Sequence, residues 1–324
     1  MTFDPENKSS SEEPEQNEIL NIQTDVKLEY STSPIKAAFT ALISVFLLYQ
    51  VGGALLTLLI FGMDFAHADI NAQRLLTAGG QILLILAPAL VFSKLVYNDN
   101  VTQVIRFRLP NFKVVGLFVL GMIPLLTMLQ NFLYIQNYLI VKLANSNSFI
   151  MYLKKTFDSL DKFINSAYDE LVTAHNVFEG ILIVIIVAFI PAICEEVFFR
   201  GFVQKSFEQK LKPLTAGLIT SIFFAIYHFN PYGLIFLTIL AFYFSYAVYK
   251  TNSIFTSMIL HFINNFLTVL LVFIFNDKEL LESNVVDEKS IVQNLTTFIL
   301  TLIFFIIYMV FVKKYIDKQK ARLV

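Results

Sequence analysis

The sequence has few charged residues and a single cysteine, and both shortages restrict what the protein can be. Charged residues make up 15% of the 324 residues, whereas apolar residues make up 56%. A soluble globular protein needs more polar surface than this, so the composition excludes an ordinary soluble domain. Because Cys194 stands alone, the chain cannot form an internal disulfide framework or a cysteine-rich zinc site. The net charge of −1 carries no information about nucleic acid, and we expect no nucleic-acid partner.

The chain contains a series of long apolar runs. A helix needs about 20 residues to cross the hydrocarbon core of a membrane. The sequence therefore predicts an all-α membrane protein with about eight transmembrane helices, at Ile35–Gly62, Leu75–Tyr97, Val114–Gln136, Phe178–Phe199, Pro213–Phe229, Gly233–Tyr249, Ile254–Phe275 and Ile291–Val312. The first two and the last are interpreted as ordinary lipid-facing spans. The fifth and sixth are short, and a single re-entrant element in their place would change the topology.

Three segments outside these spans have their own character. Residues 1–33 hold most of the acidic surplus, which predicts a disordered tail and is unlike a signal peptide. Val101–Lys113 is interpreted as an interfacial stretch that holds its basic residues at the lipid headgroups. Asn145–Asn176 has apolar residues at helical spacing, which predicts an amphipathic helix lying on the membrane.

The distribution of lysine and arginine predicts the orientation of the chain. With eight spans, both termini lie on one side, and that side carries 17 basic residues against 7 on the other. Basic residues accumulate on the cytoplasmic side, so we expect an integral, multi-pass protein with both termini in the cytoplasm. No internal repeat is visible, which argues against a transporter built from inverted halves.

Two adjacent carboxylates lie where the fourth apolar run ends. Charged residues within a span are costly and usually mark a functional site. Glu196 and Arg200 are four residues apart, so they share a helix face and can pair, whereas Glu195 is rotated by about 100° and faces another partner. The alternative interpretation is a juxtamembrane salt bridge at the cytoplasmic end of the helix.

Two of the four histidines lie in predicted membrane helices, whereas His67 and His175 lie in loops. The hairpin between the fourth and fifth helices turns near Pro213, which brings Glu195 and His228 to a similar height. His261 lies on the seventh helix, with Asn265 one turn further along the same face. A single helical histidine usually has only a packing role, but packing alone does not require this combination of polar side chains.

The polar residues form three motifs in order along the chain: Glu195-Glu196-x-x-x-Arg200, Phe224-x-x-x-His228 and His261-x-x-x-Asn265. They resemble the motifs of the CAAX-protease and bacteriocin-processing family of intramembrane endopeptidases, which includes type II CAAX prenyl proteases and lysostaphin-resistance-like proteins. No motif position departs from the pattern. The resemblance covers roughly residues 178–275 and implies a four-helix catalytic core there. The remaining divisions are the tail at 1–33, three helices with the amphipathic segment at 34–177, and the last helix with a basic tail at 276–324.

The resemblance implies peptide-bond hydrolysis by an activated water molecule. In this scheme Glu195 is the general base and His228 helps to hold the water. His261 and Asn265 donate hydrogen bonds to the developing oxyanion. The expected partners are the lipid bilayer and a membrane peptide or lipidated protein as substrate, and the sequence does not indicate which substrate or whether a prenyl group is recognised.

Glu196 and Arg200 are expected to support the site by fixing the fourth helix. A zinc-dependent version of the same protease is an alternative, with Glu195, His228 and His261 as ligands. The sequence has no His-Glu-x-x-His motif, which would place two ligands and a base on one helix, so we favour a mechanism without a cofactor.

Other function classes fit the motifs less well. The sequence has no Gly-x-Gly-Asp motif for an aspartyl protease and no Gly-x-Ser-Gly motif for a serine protease. Cys194 faces away from Glu195 along the helix, so we expect it to pack and not to act as a nucleophile. A non-catalytic membrane scaffold of the same fold is the main alternative, although a scaffold has no need for the full set of polar residues.

Overall fold

The computed structural model describes residues 28–63, 68–98, 100–174, 176–275 and 290–321. Regular secondary structure within these ranges is helical, and we number the main helices in chain order: α1 Pro34–Phe61, α2 Ile70–Tyr97, α3 Phe112–Ser146, α4 Ser148–Val172, α5 Val177–Glu208, α6 Pro213–Tyr227, α7 Leu234–Thr251, α8 Ile254–Phe275 and α9 Ile291–Ala321. A one-turn helix at Val101–Val104 precedes α3.

The prediction of an all-α, multi-pass integral membrane protein is confirmed. In the described residues, seven helices are long and apolar enough to cross a membrane, namely α1, α2, α3, α5, α7, α8 and α9. The predicted fifth span corresponds to α6, which has only 15 residues and is shorter than a complete span. It ends at Tyr227 because the chain turns directly afterwards, with Phe229 in the left-handed region at φ 51°.

Three clusters of buried apolar side chains hold the helices together. One joins α1, α2, α5 and α6, a second joins α3, α7 and α9, and a third joins α2, α5 and α8. The central part of α5 therefore packs on α1 and α2 on one side and on α8 on the other. This position places the two adjacent glutamates of α5 in the interior of the helix bundle.

Wider, π-helical turns interrupt the helices that surround the glutamates. They occur at Leu48–Gly52 in α1, Gln81–Leu86 in α2, and Val184–Phe189 and Val197–Val203 in α5. Two of them lie just before a proline, Pro88 in α2 and Pro191 in α5. Proline lacks a backbone N–H and crowds the carbonyl four residues earlier, so it disturbs the regular helical hydrogen bonds there. Such turns often occur at functional sites.

The interpretation of Val101–Lys113 as a stretch with its basic residues at the headgroups is wrong for Arg106. This side chain is 2% exposed. It pairs with Glu208 at the end of α5 and donates to the backbone carbonyl oxygen of Arg200 at 3.3 Å. The partly buried carboxylate of Glu208 therefore balances the charge of the buried Arg106, which the count of loop charges could not reveal.

Gly201 allows this segment to approach α5 closely. A Cβ atom at position 201 would lie 3.2 Å from the backbone Cα of Ile105, which is tighter than ordinary contacts. The side chain of Ile105 is buried at this contact. The segment before α3 therefore packs directly on the backbone of α5, one turn after the glutamates.

The amphipathic helix predicted within Asn145–Asn176 is present as α4. The Tyr232 hydroxyl, in the turn between α6 and α7, donates to Asp158 of α4 at 2.6 Å, and Lys154 donates to the same carboxylate at 2.7 Å. Burial raises the pKa of Asp158, but these hydrogen bonds and the Lys154 charge outweigh it, so the pKa lies below its usual value. The contact fixes α4 next to the turn that follows His228.

Most of the predicted acidic tail, residues 1–27, lies outside the described residues, as do His67 and His175. The rest of that segment is ordered against the bundle. Leu28 is buried, and the Ser31 hydroxyl donates to the Leu95 carbonyl oxygen at 2.7 Å. Packed residues are therefore present before the predicted boundary at residue 33. The other predicted divisions of the chain stay predictions.

Candidate active site

The six predicted site residues lie on two helices and directly after a third. Glu195, Glu196 and Arg200 lie in α5, His228 directly follows α6, and His261 and Asn265 lie in α8. The Phe224 ring packs against both histidines, with ring centroids 4.6 Å from His228 and 5.8 Å from His261. The two histidines therefore lie close together, with the phenylalanine of the second motif in contact with both.

Glu196, Arg200 and His261 form a buried hydrogen-bonded group, which we call the Glu196 network. Arg200 Nη1 donates to Glu196 Oε1 at 2.7 Å, and His261 Nδ1 lies 2.8 Å from the same oxygen. Glu196 and Arg200 are completely buried, and His261 is 3% exposed. The network thus contains the pair expected from the i, i+4 spacing and adds the histidine of the third motif to it.

The Arg200 charge has further partners besides Glu196. Arg200 Nη2 donates to the Ala241 carbonyl oxygen of α7 at 3.1 Å, and the guanidinium lies over the Phe224 ring at 4.4 Å. A buried ion pair is tolerated only when its charges are paired and hydrogen-bonded. These contacts pair both charges and tie α5 to α7 and α8, although Glu196 Oε2 and Arg200 Nε are buried without a hydrogen-bond partner in the described chain.

Glu195 has different surroundings. Gln81 Nε2 of α2 donates to Glu195 Oε1 at 3.1 Å and also to the Tyr49 hydroxyl oxygen of α1 at 3.1 Å. We call Glu195, Gln81 and Tyr49 the Glu195 chain. Within the described residues, Oε2 of Glu195 is buried and has no hydrogen-bond partner, and no hydrogen bond joins Glu195 to His228 or His261. A buried carboxylate oxygen in this state is a natural acceptor for water.

Each histidine has one ring nitrogen fixed by a neighbour. His228 Nδ1 lies 2.8 Å from the Phe224 carbonyl oxygen, and His261 Nδ1 faces the Glu196 carboxylate. Because a carbonyl and a carboxylate can only accept, both rings carry a proton on Nδ1. Nε2 of each neutral ring is then an acceptor, and it becomes a donor only when the ring is doubly protonated.

Asn265 hydrogen-bonds to α5. Its Nδ2 donates to the Val187 carbonyl oxygen at 3.0 Å, and its Oδ1 accepts from Asn264 at 3.1 Å. Val187 lies four residues before Pro191, whose missing N–H would have been the helical partner of that carbonyl. Asn265 therefore satisfies a backbone group that proline leaves open, and one amide N–H of its Nδ2 remains for another acceptor.

Sequence reasoning missed the contribution of α1 and α2, and the interpretation of both as ordinary lipid-facing spans is wrong. Gln81 is 6% exposed and contacts Glu195, and Gln50 of α1 donates to the Tyr227 carbonyl oxygen at 3.0 Å. The available signal was a glutamine in the middle of each apolar run, because an amide within a span requires a partner.

The residues do not form a metal site as they are placed. Among the described residues, no three His, Cys, Asp or Glu side chains are grouped as a metal ion would require. Glu195 instead bonds to Gln81, and His261 bonds to Glu196. We therefore derive no step through zinc, and the expectation of a mechanism without a cofactor stays a prediction.

Comparison with known families identifies this region of the chain. Residues 177–267 match the family described as Rce1-like, type II CAAX prenyl endopeptidase. The match runs from the start of α5 into α8 and contains all six predicted site residues. It confirms the family resemblance read from the three motifs, and α1 to α4 and α9 lie outside it. Searches of curated proteins and of solved structures found no match.

Proposed function

We propose that this chain, whose α5–α8 region is that of an Rce1-like intramembrane protease, is an endopeptidase in which Glu195 activates the attacking water. The observation that carries the proposal is the difference between two adjacent carboxylates. Glu196 is paired with the cationic Arg200 and bonded to His261, whereas the hydrogen-bond partner of Glu195 is the neutral Gln81. Oε2 of Glu195, like Oε2 of Glu196, is buried and has no hydrogen-bond partner in the described chain. A general base needs such an oxygen within reach of water.

The proposed reaction starts with a water molecule between Glu195 and His228. Glu195 Oε2 accepts a proton from the water, and Nε2 of His228 accepts its other hydrogen bond and orients it. The resulting hydroxide attacks the carbonyl carbon of the scissile peptide bond. The protonated Glu195 then donates its proton to the leaving amine, so the carboxylate is regenerated. The fixed Nδ1 of His228 supports this role because it leaves Nε2 as an acceptor.

We assign the stabilisation of the oxyanion to His261 and Asn265. The remaining amide N–H of Asn265 is a donor in the neutral state. His261 can donate from Nε2 only as an imidazolium, because its Nδ1 already faces the Glu196 carboxylate. A neutral His261 would instead accept a hydrogen bond from water, which places it beside His228 in holding the nucleophile.

The proposed substrate is a membrane-associated peptide or lipidated protein that reaches the site from the bilayer. Direct evidence for this would come from the purified protein in lipid bilayer discs, incubated with labelled membrane peptides, half of which carry an isoprenoid on cysteine. We expect cleavage products, identified by mass spectrometry, that disappear with Glu195→Ala. If the peptides that carry an isoprenoid are cleaved faster than those without one, the protein recognises the prenyl group. Products that persist in Glu195→Ala would contradict the proposal.

A metal-free mechanism makes a separate prediction. Extensive chelation and dialysis should leave the cleavage rate unchanged, and elemental analysis should find no stoichiometric zinc. If chelation abolishes activity and zinc alone restores it, the zinc alternative replaces the proposed mechanism, with Glu195, His228 and His261 as the ligands to test.

We also propose that the short helix α6 crosses the membrane together with the seven longer helices, so that both termini face the cytoplasm, because basic residues are concentrated on their side of the eight predicted spans. A reporter fused after Val324 should be active on the cytoplasmic side, and a reporter inserted into α4 should lie on the opposite side. If both reporters lie on the same side, the chain crosses the membrane an even number of times between α4 and Val324, and the predicted topology is wrong.

A further inference from the structure

We propose that Gln81 is a positioning residue of the active site, which holds Glu195 in the orientation that the reaction needs. The inference rests on the proposed role of Glu195 as the general base and extends the site to a helix outside the family match. Residues 177–267 contain the three motifs, whereas Gln81 lies in α2. The catalytic base is therefore oriented by a part of the chain that the motifs do not include.

The burial of Gln81 requires an explanation. Its side chain is 6% exposed within an apolar membrane helix, where an amide without partners is strongly disfavoured. Nε2 of Gln81 makes two contacts at 3.1 Å, one with Glu195 and one with Tyr49. The helix places this amide against the base, and the π-helical turn of α2 begins at the same residue.

The direction of the amide determines which carboxylate oxygen remains for the reaction. An ionised carboxylate can only accept, so the NH2 group of Gln81 must face Glu195. This hydrogen bond occupies Oε1 and leaves Oε2 for water. Without it, the carboxylate could rotate about its last torsion, and the two oxygens would exchange places. Gln81 thus acts through Glu195 and does not itself touch the reacting atoms.

The test is the pH dependence of kcat/KM in Gln81→Met, which keeps the size of the side chain and removes the donor. The N–H of Gln81 donates to the ionised carboxylate, so its loss should move the acidic limb of the profile to higher pH. We expect kcat/KM at neutral pH to fall on the order of 10- to 100-fold, as expected for a misplaced catalytic group.

Gln204→Met provides the matched control. Gln204 is another fully buried glutamine, and it bonds to Glu208 and to the Ser245 carbonyl oxygen instead of Glu195. This variant should lower the thermal stability without moving the acidic limb. If Gln81→Met and Gln204→Met give the same unshifted profile, Gln81 has only a structural role. If Glu195→Gln is as active as the wild type, the proposed function itself fails, whatever Gln81→Met shows.

A cavity carries a second inference independently of these hydrogen bonds. A cleft of about 330 Å³ lies between α1 and α2, which is within the size range of ligand sites. Two residues that line the cleft are Gly80, which precedes Gln81 in the sequence, and Tyr49, which accepts a hydrogen bond from Gln81. One end of the cleft therefore adjoins the Glu195 chain. We infer that this cleft binds the substrate peptide on one side of the scissile bond, given the proposed protease function.

The walls of the cleft suit a peptide chain within a membrane protein. Gln50, Thr57, Gln73 and Thr77 provide polar groups among apolar neighbours such as Leu76 and Leu84. A Cβ atom built at Gly53 meets no atom within 4 Å, so a larger side chain there extends into open space and not into the packed interior. Gly53 is therefore a position at which the cleft can be filled without disturbing the core.

The test compares Gly53→Phe with Gly116→Phe. Gly116 of α3 has the same open surroundings but does not line the cleft. Gly53→Phe should lower kcat/KM at least tenfold for a full-length peptide, mainly by raising KM, and should have little effect on a peptide truncated on the side that occupies the cleft. Gly116→Phe should cleave both peptides like the wild type. Equal behaviour of the two variants, or an equal loss for every peptide length, would overturn the inference.

Discussion

The Glu196 network and the Glu195 chain begin at neighbouring residues of α5 but differ in the partners of their carboxylates. In the Glu196 network, the carboxylate is completely buried and faces the cationic Arg200 and the His261 ring. In the Glu195 chain, the carboxylate is 9% exposed, and its partner is the neutral amide of Gln81. The first arrangement neutralises a negative charge, whereas the second only orients it.

This difference separates two tasks that a membrane protease must combine. A carboxylate paired with arginine is a weak proton acceptor because the cation stabilises its ionised form. A carboxylate oriented by an amide keeps more of its basicity, but it contributes less to holding the helices together. On the proposed function, Glu196 contributes mainly to stability and Glu195 to reactivity, and substitutions at each position can test that division.

The largest effect is expected from Glu195→Gln, which keeps the shape of the side chain and removes the proton acceptor. Cleavage should slow by a factor on the order of 10²–10⁴, while the melting temperature remains near that of the wild type. Glu196→Gln should show the reverse balance, with a lower melting temperature and a smaller change in the rate per folded molecule. Equal loss of folded protein in both variants would show that the two glutamates have the same structural role.

Arg200→Met tests the buried charge directly. It leaves Glu196 in the interior without its arginine, which should cost about 3–5 kcal/mol of unfolding free energy. The double variant Arg200→Met/Glu196→Gln removes both charges and should recover a large part of this loss. Denaturation in detergent micelles measures both. No recovery in the double variant would mean that Arg200 acts through Ala241 and Phe224 and not through Glu196.

Asn265→Ala should reduce turnover on the order of 10²-fold with little change in KM, as loss of one oxyanion donor does. It should also lower stability, because the Val187 carbonyl loses its partner. Pro191→Ala restores a backbone N–H to that carbonyl, so it should shrink the stability loss caused by Asn265→Ala and leave the loss of turnover intact.

Asn264→Ala is the neighbouring control and should be milder in turnover. If Pro191→Ala rescues both the stability and the turnover of Asn265→Ala, the amide supports α5 and contributes nothing to the oxyanion. If the alanine variant at 264 is the more damaging one, Asn264 and not Asn265 faces the reacting atoms.

The smallest effect is expected at Asp158, whose carboxylate is partly exposed, in contrast to that of Glu196. Its pKa lies below the usual value of 3.8, so the Asp158 contacts contribute stability above that pH. Asp158→Asn should therefore cost no more than about 1 kcal/mol at neutral pH. The difference from the wild type should disappear as the pH falls below the pKa of the folded state. A difference that is independent of pH would assign the effect to the neutral hydrogen bond with Tyr232.

The fold was largely predictable because it follows from apolar run length. The helix starts at Pro34 and Pro213 and the pairing of Glu196 with Arg200 follow from short-range rules. The proposed orientation does not depend on the charges that prove to be buried. Arg74, Arg106 and Arg200 are buried. Without them, the side of the termini still carries 15 basic residues and the opposite side carries 6.

The partners of the site residues were less predictable because they come from distant parts of the chain. Gln81 precedes Glu195 by 114 residues, and no local rule connects α2 with α5. Arg106 was interpreted as a headgroup residue because its partner Glu208 lies 102 residues away. Pro191 did indicate an unpaired carbonyl at Val187, but only the packing of α8 on α5 shows that Asn265 supplies the donor.

The origin of Gln81 in α2 limits how far the catalytic region can be treated as an exchangeable module. A chimera that carries residues 177–267 into the membrane helices of another protein would transfer all three motifs but neither Gln81 nor Tyr49. The grafted Glu195 would then face an apolar wall unless the host supplied an amide at the same depth. If Gln81 positions Glu195 as proposed, successful exchange between such proteins should require a matched second helix, and the minimal transferable unit should begin at α1 and not at the first motif.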